Sequence, residues 1–263
     1  ENTGVNAARN RGLDNAREEI LLFLDDDMVA DARLIEEHLQ AHQDRARAII
    51  KGQVVLAADE STSLDAFARL GLGQPDLDTG NGAVREISYQ QVGGGHFSIR
   101  KSQIEAVGNW DEAYVSYGFQ DLELVYRCWK SGVRSYYAPR AITHHYDYAL
   151  TLPKACWRIR RASATAPTYL FRKHPELDGQ LAMFCDKGPI AWRQDRPALI
   201  ARKLLRQAIS APLALRGMEG LAHLLEACCP SLGLLARFYR WIISAYIYKG
   251  YRDGLREFAS GLV

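Results

Sequence analysis

Three consecutive carboxylates, Asp25-Asp26-Asp27, close an apolar run, Ile20-Leu21-Leu22-Phe23-Leu24. Five apolar residues in a row read as a buried strand. No strand interior tolerates three adjacent acids, so the aspartates belong just past its C-terminal end. In open α/β sheets that edge is where ligands bind. Three acids there repel one another unless a cation sits among them. Oxygen ligands on a short turn suit a hard divalent ion, Mg²⁺ or Mn²⁺, which can also bridge phosphates. The competing reading is capping of a helix that starts near Asp31, but a cap takes one acid and not three.

A fourth carboxylate stands apart. Gly118-Phe119-Gln120-Asp121-Leu122-Glu123-Leu124 opens a helix with Leu122, Val125, Cys128 and Trp129 as its expected buried stripe, ended by Gly132. Asp121 falls in the first turn, where the helix dipole favours an anion. A carboxylate fixed there can take a proton, or it simply stabilises the helix start. His144-His145 close an extended segment. Neighbours on a strand point to opposite faces, so at most one shares a metal with Asp27. His38 and His42, four apart on a predicted helix, lack a Glu-based motif and read as surface histidines. Gly93-Gly94-Gly95 permits close backbone approach, yet forms neither GxGxxG nor a P-loop.

The elements that must position these groups follow from pattern. A short polar helix is expected over residues 2–16 and the strand at 20–24. A helix from about Asp31 to Arg45 should present Leu34, Ile35, His38 and Leu39 on one face. Residues 48–56 read as a strand, 61–72 as a helix, and 71–82 as a Gly/Asp/Pro loop that could cover a site. Residues 87–92 read as a strand and 101–107 as a short helix closed by Gly108. Two extended segments follow, at 134–138 and 141–146. From Leu152 onward helices dominate, at 199–215, 221–228 and 232–255.

The chain has 263 residues, of ordinary globular composition, with a net charge of +2. That balance hides an asymmetry. Residues 1–150 carry 15 basic and 23 acidic side chains, and residues 151–263 carry 18 and 8, so a −8 half precedes a +10 half. An acidic catalytic region and a basic, aromatic-rich helical region imply different partners. Five cysteines without a CxxC pair read as free thiols of a reducing compartment, with no zinc site. The run at 232–255 mixes Leu, Phe, Trp and Ile with Arg237, Arg240, Lys249 and Arg252. It is too interrupted to span a bilayer, which leaves a membrane-interface helix or core packing.

In this order the pieces resemble the family 2 glycosyltransferases with the GT-A fold. Asn2-x-Gly4, Ala8-Arg9-Asn10-x-Gly12 and Leu22-Phe23-Leu24-Asp25-Asp26-Asp27 are similar to that family's helix and DxD strand. Gly94 through Arg100, Val107-Gly108-Asn109-Trp110-Asp111-Glu112, and Gly118 through Leu124 with Arg127 are similar to its acceptor-side block, which galactosyltransferases share. The resemblance covers roughly residues 1–147. It implies an α/β fold, a GT-A (Rossmann-like) mixed sheet flanked by helices, as a catalytic domain at 1–150 with a helical region at 151–263. It also implies an inverting transfer from a nucleotide-sugar donor to a hydroxyl of a glycan or lipid-linked acceptor, with Mn²⁺ or Mg²⁺.

By the same resemblance Asp121 is the catalytic base. Asp25, Asp26, Asp27, Arg9 and Asn10 face the donor, and Asp25 and Asp27 hold the metal with His144 or His145. Gly94, Gly95, His96, Trp110, Asp111, Glu112 and Gln120 face the acceptor. Two departures are visible. Gln120 stands where the family has an acid, and the opening nucleotide-binding strand and its following units are not in the sequence, so the chain reads as cut at its front.

A HAD-like phosphotransferase is the main rival, since Asp25-Asp26-Asp27-Met28-Val29 fits DxDx[TV], but its downstream Lys and second acidic pair are not convincingly present. A non-catalytic scaffold at a membrane is the other. A cytoplasmic protein is expected, peripheral at the inner membrane face through 232–255. Nucleic acid is not expected, because no recognised motif surrounds the basic residues.

Overall fold

The structure is a computed structural model, and residues 4–56, 82–114, 118–146, 151–228 and 232–259 are described. The helix expected at 61–72 and most of the loop expected at 71–82 lie outside the described residues.

The chain divides into two compact units, one carrying the sheet and the other the helices from Leu152 onward. In the first, α1 (Val5–Asn15) leads to β1 (Ile20–Leu24), β2 (Met28–Ala30), α2 (Leu34–Gln43) and β3 (Ala48–Leu56). Then come β4 (Arg85–Ile87), a 3-10 turn (Tyr89–Gln91), β5 (His96–Arg100), α3 (Lys101–Ala106), α4 (Gln120–Lys130) and β6 (Arg134–His145). The sheet order is β1-β5-β3-β6-β2, with β4 also on β6. β3 and β6 are parallel; the other pairs are antiparallel. The sheet is mixed, as expected. Its core gathers Ile49, Ile50, Phe97, Ile99, Ile104, Leu124 and Val125, all essentially buried. Burial of each such side chain contributes roughly 1.5–3 kcal/mol.

Several local expectations change. β1 is not a fully buried strand: it stands at the end of the strand order, its first four residues are half-buried, and Leu24 is 37% exposed. The apolar run was read as covered on both faces, and a marginal strand is not. α2 turns a different face inward, burying Leu34, Glu37, His38, Ala41 and His42 while Ile35 and Leu39 are exposed. The strand expected at 87–92 becomes β4 and the 3-10 turn, because Ser88 caps that turn reciprocally with Gln91. Trp129 leaves the buried stripe of α4 and is 39% exposed. The two segments at 134–138 and 141–146 are one strand.

The second unit holds α5 (Leu152–Lys173), α6 (Pro197–Ile209), α7 (Pro212–Cys228) and α8 (Leu232–Ala259). Proline at the first or second position of α5 and α6 suits a helix start, where its missing N–H costs nothing. α8 buries Leu235, Tyr239, Ile242 and Ala245 against Leu152, Cys156, Leu215 and Ala222. Among the described residues no helix is long and apolar enough to cross a membrane.

Candidate active site

The polar face of α1 is a clamp. Asn6 and Asn10 stand one turn apart, so their amides meet the same neighbouring segment. Asn6 donates to the Asp111 carbonyl at 2.7 Å and to that of Tyr114 at 3.2 Å. Asn10 donates to the Trp110 carbonyl at 2.9 Å and to Glu112 Oε1 at 2.8 Å, and accepts from the Trp110 N–H at 3.0 Å. Trp110 itself is 2% exposed and packs edge-on against Phe23. Asn10, expected on the donor, and Trp110, expected on the acceptor, are thus committed to each other inside the fold. Arg127 fixes the same stretch from α4. It pairs with Glu123 at 2.8 Å and donates to the carbonyls of Val107 and Asn109.

Arg9 leaves α1 in another direction. Its Nη1 lies 2.5 Å from Asp121 Oδ1, with the guanidinium over the Trp110 ring. Asp121 opens α4 behind Phe119, which takes a left-handed φ of 64°. That conformation is uncommon for a bulky residue and marks a strained turn. Burial pushes the Asp121 carboxyl above the ordinary carboxylate range, and the Arg9 charge opposes that rise. Gln120 beside it is buried, and its Oε1 has no hydrogen-bond partner among the described residues.

Two glycines bring the carboxylates together. A β-carbon on Gly94 would overlap the Asp121 carboxylate, and one on Gly95 would come 2.6 Å from Asp25 Oδ2. Consecutive residues of one loop therefore touch the acid of α4 and the acid after β1. Register explains the second contact: Leu24 pairs with His96 in an antiparallel ladder, so the following residue, Asp25, meets Gly95, whose carbonyl accepts from the Asp25 N–H at 3.1 Å. Although Asp25 is exposed overall, its carboxyl loses hydration against this loop. That raises its pKa, with Arg9 opposing.

Asp25 to Asp27 do not cap α2; the turn before it uses Asp31, whose carboxylate accepts from the Arg33 N–H at 3.0 Å. Instead the chain turns into β2, which pairs with the end of β6 so that Met28 faces His145. His145 Nε2 lies 3.0 Å from Asp27 Oδ2. His144 is its neighbour on the strand and points to the other face, so Asp27 has His145 as its partner of the two. Asp26 is exposed at the tip of the turn. Among the described residues no three ligating side chains already converge as a finished metal set. Asp27 with His145, and Asp25 at the start of the same turn, are side chains of the type that could contribute to holding a hard ion, which would take its remaining ligands from phosphate and water.

His96 does not face this cleft. It follows Gly95 on β5, so its side chain projects to the opposite face, beneath α2. There His96 Nε2 meets His38 Nε2 at 2.8 Å, His38 Nδ1 meets Ser98 Oγ at 2.8 Å, and Ser98 Oγ meets His42 Nε2 at 2.9 Å. Thr143 Oγ1 stands 3.1 Å from His96 Nδ1 and donates to the Gln53 carbonyl. All three histidines are 2% exposed or less, which corrects the surface reading of His38 and His42. The signal was present as the four-residue spacing of His38 and His42 and the two-residue spacing of His96 and Ser98. Nothing in sequence separation announced the Arg9–Asp121 pair.

Residues 1–80 match the family model described as glycosyl transferase family 2. The uncharacterized glycosyltransferase YfnE of Bacillus subtilis (strain 168) is 24% identical over an alignment of 177 residues that covers 51% of this chain and 45% of that protein. Among solved structures, the mannosyltransferase PcManGT from Pyrobaculum calidifontis, in complex with GDP-Man and Mn²⁺, aligns at a TM-score of 0.51 and 16% identity. That alignment covers 96% of this chain and 66% of the other. The chain thus spans under half the length of the curated relative.

Proposed function

We propose that this chain, whose residues 1–80 match the glycosyl transferase family 2 model and whose mixed sheet is of the GT-A type, moves a sugar from a nucleotide-sugar donor to an acceptor hydroxyl with inversion. The observation that carries the reading is the pair of glycines. Gly94 lies against the Asp121 carboxylate and Gly95 against that of Asp25, which supports a proton acceptor and a donor-side acid working at one place.

Asp121 takes the proton from the acceptor hydroxyl as its oxygen bonds to the anomeric carbon. The bond from that carbon to the diphosphate oxygen breaks, and the nucleoside diphosphate leaves with the electron pair. Arg9 holds the Asp121 carboxylate in place, and its charge opposes the rise that burial imposes on that carboxyl. Asp25, Asp27 and His145 are the side chains that would hold Mn²⁺ or Mg²⁺. When bound, such an ion neutralises charge on the departing diphosphate. The mannosyltransferase with GDP-Man and Mn²⁺ supports a donor and an ion of this class. Gln120 gives the acceptor side a neutral amide in place of a second acid. A glycan or lipid-linked acceptor at the inner membrane face suits the basic second unit, where Arg237 and Arg240 are exposed beside Leu234 and Trp241.

The test is nucleoside diphosphate release by the complete protein from a panel of nucleotide sugars with Mn²⁺ and with Mg²⁺. We expect turnover with at least one donor, lowered about 10²–10⁴-fold by Asp121→Asn. Turnover of a generic phosphomonoester without nucleotide-sugar cleavage would establish the phosphotransferase reading instead. Metal-dependent nucleoside diphosphate binding would count against a scaffold.

A further inference from the structure

At the other end of β6 lies a second concavity. Ser135 pairs with Ile49 and with Ile87, near the start of the parallel β3/β6 pair, whereas His145 meets Asp27 at the strand's far end. Ten residues of strand separate the two, roughly 30 Å. The concavity has a volume of about 420 Å³ and is lined by Glu86, Ser88, Tyr89, Trp129, Arg134 and Ser135, among others. That volume lies in the range of roughly 300–1,000 Å³ usual for small-molecule sites.

Its chemistry is specific. Trp129 is braced by Tyr89, with ring centroids 5.1 Å apart, and by Tyr126 at 6.0 Å, yet it stays 39% exposed. An aromatic residue fixed by its neighbours and left open is a platform without an occupant, since burying it would be favourable. Around it stand a carboxylate, a guanidinium and hydroxyls. Ser135 is 2% exposed, and its Oγ makes no hydrogen bond among the described residues. A buried hydroxyl without a partner is costly and calls for one.

We propose that this concavity is a binding subsite for a pyranose ring of a glycan, separate from the cleft of Asp25 and Asp121. A pyranose offers C–H groups on one face for Trp129. Its rim of hydroxyls can donate to Glu86 and accept from Arg134, Ser88 and Ser135. An apolar ligand would leave the buried Ser135 hydroxyl without a partner, and a nucleotide would bring phosphate up to Glu86. A subsite at the opposite end of β6 holds an acceptor polymer at a second point, which raises its effective concentration at the cleft.

Saturation-transfer NMR on the full chain tests this without turnover, so failure of the catalytic reading leaves it standing. The probes are methyl glycosides of glucose, galactose, mannose and N-acetylglucosamine, with a tetrasaccharide of each. We expect saturable transfer from at least one tetrasaccharide, reduced at least about fivefold in Trp129→Ala and at least about threefold in Ser135→Val and Arg134→Met. Asp121→Asn should leave it unchanged. Circular dichroism checks each variant's fold, and if Trp129→Ala unfolds, the other two decide. No transfer from any probe overturns the proposal. So does transfer that survives all three substitutions, or that is lost in Asp121→Asn.

Discussion

Arg9 Nη1 lies 2.5 Å from Asp121 Oδ1, and the same guanidinium's charge also lowers the pKa of Asp25. One cation on α1 therefore serves acids at two different strand and helix ends. Burial raises the pKa of Asp121 and Arg9 lowers it, so removing Arg9 leaves burial unopposed and the carboxyl takes up a proton at higher pH. In Arg9→Met the acid limb of kcat/KM should move to higher pH, with a loss of at least about tenfold at neutral pH that shrinks in alkali. A pH–rate profile reads this directly. A loss of equal size at every pH would mean that Arg9 serves the donor rather than the base.

Gly94→Ala and Gly95→Ala should separate the two halves of the reaction. The first places a methyl group into the Asp121 carboxylate, and the second places one 2.6 Å from Asp25 Oδ2 and 2.8 Å from Met28 Cε. A displacement of about 1 Å at a reacting group costs on the order of 10²-fold in rate. Gly94→Ala should therefore lower kcat while leaving metal-dependent nucleoside diphosphate affinity near wild type. Gly95→Ala should weaken that affinity. Calorimetry beside steady-state kinetics distinguishes them, and identical behaviour of the two variants would contradict the division of labour.

The sequence made the acids legible because chemistry and pattern coincided there: three carboxylates cannot sit inside a strand, so Asp25 to Asp27 had to lie at its end. The helical second half was legible as long helical runs, whereas the mixed sheet was expected only from the family resemblance, because alternating runs do not say which strands pair antiparallel. What escaped depended on pairing partners. The half-exposure of β1 follows from its place at the end of the strand order, which no run of Leu and Phe reveals. The inward face of α2 was misjudged because Ile35 and Leu39 outweighed two histidines on any hydropathy scale. Those histidines are buried because Ser98, His96 and Thr143 wait for them on β5 and β6.

The exposed face of α8 makes a separate prediction. Leu234 and Trp241 are 46% and 45% exposed, and Arg237 and Arg240 are exposed between them. A base near an anionic bilayer is worth about 1 kcal/mol, so losing both should weaken binding roughly 30-fold. Sedimentation with vesicles containing anionic lipid should retain the wild-type protein at low salt and release it at high salt. Arg237→Ala with Arg240→Ala should remain in the supernatant. Equal sedimentation with neutral phosphatidylcholine, or none with either lipid, removes the membrane-face expectation.

The histidine chain predicts how stability depends on pH. Thr143 donates to the Gln53 carbonyl, so it accepts from His96 Nδ1–H and leaves His96 Nε2 to accept. His38 Nε2–H then donates to His96, Ser98 donates to His38 Nδ1, and His42 Nε2–H donates to Ser98. Every ring is neutral in this scheme, and it ends on His42 Nδ1, a buried acceptor without a partner among the described residues. Burial and the neighbouring rings hold His38 down to about 3, and burial with Arg100 holds His42 to about 4. Burial with Lys51 holds His96 to about 4. The unfolded chain binds these protons near the ordinary value of 6.5, so below that pH it carries more protons than the native state. Native stability is therefore intact above about pH 6.5 and lost as pH falls toward 4, at up to about 1.4 kcal/mol per pH unit for each histidine. Urea titrations between pH 7 and 5 should show this slope, reduced by about one proton in His42→Leu. A flat stability over that interval would mean the three rings are not buried neutral together.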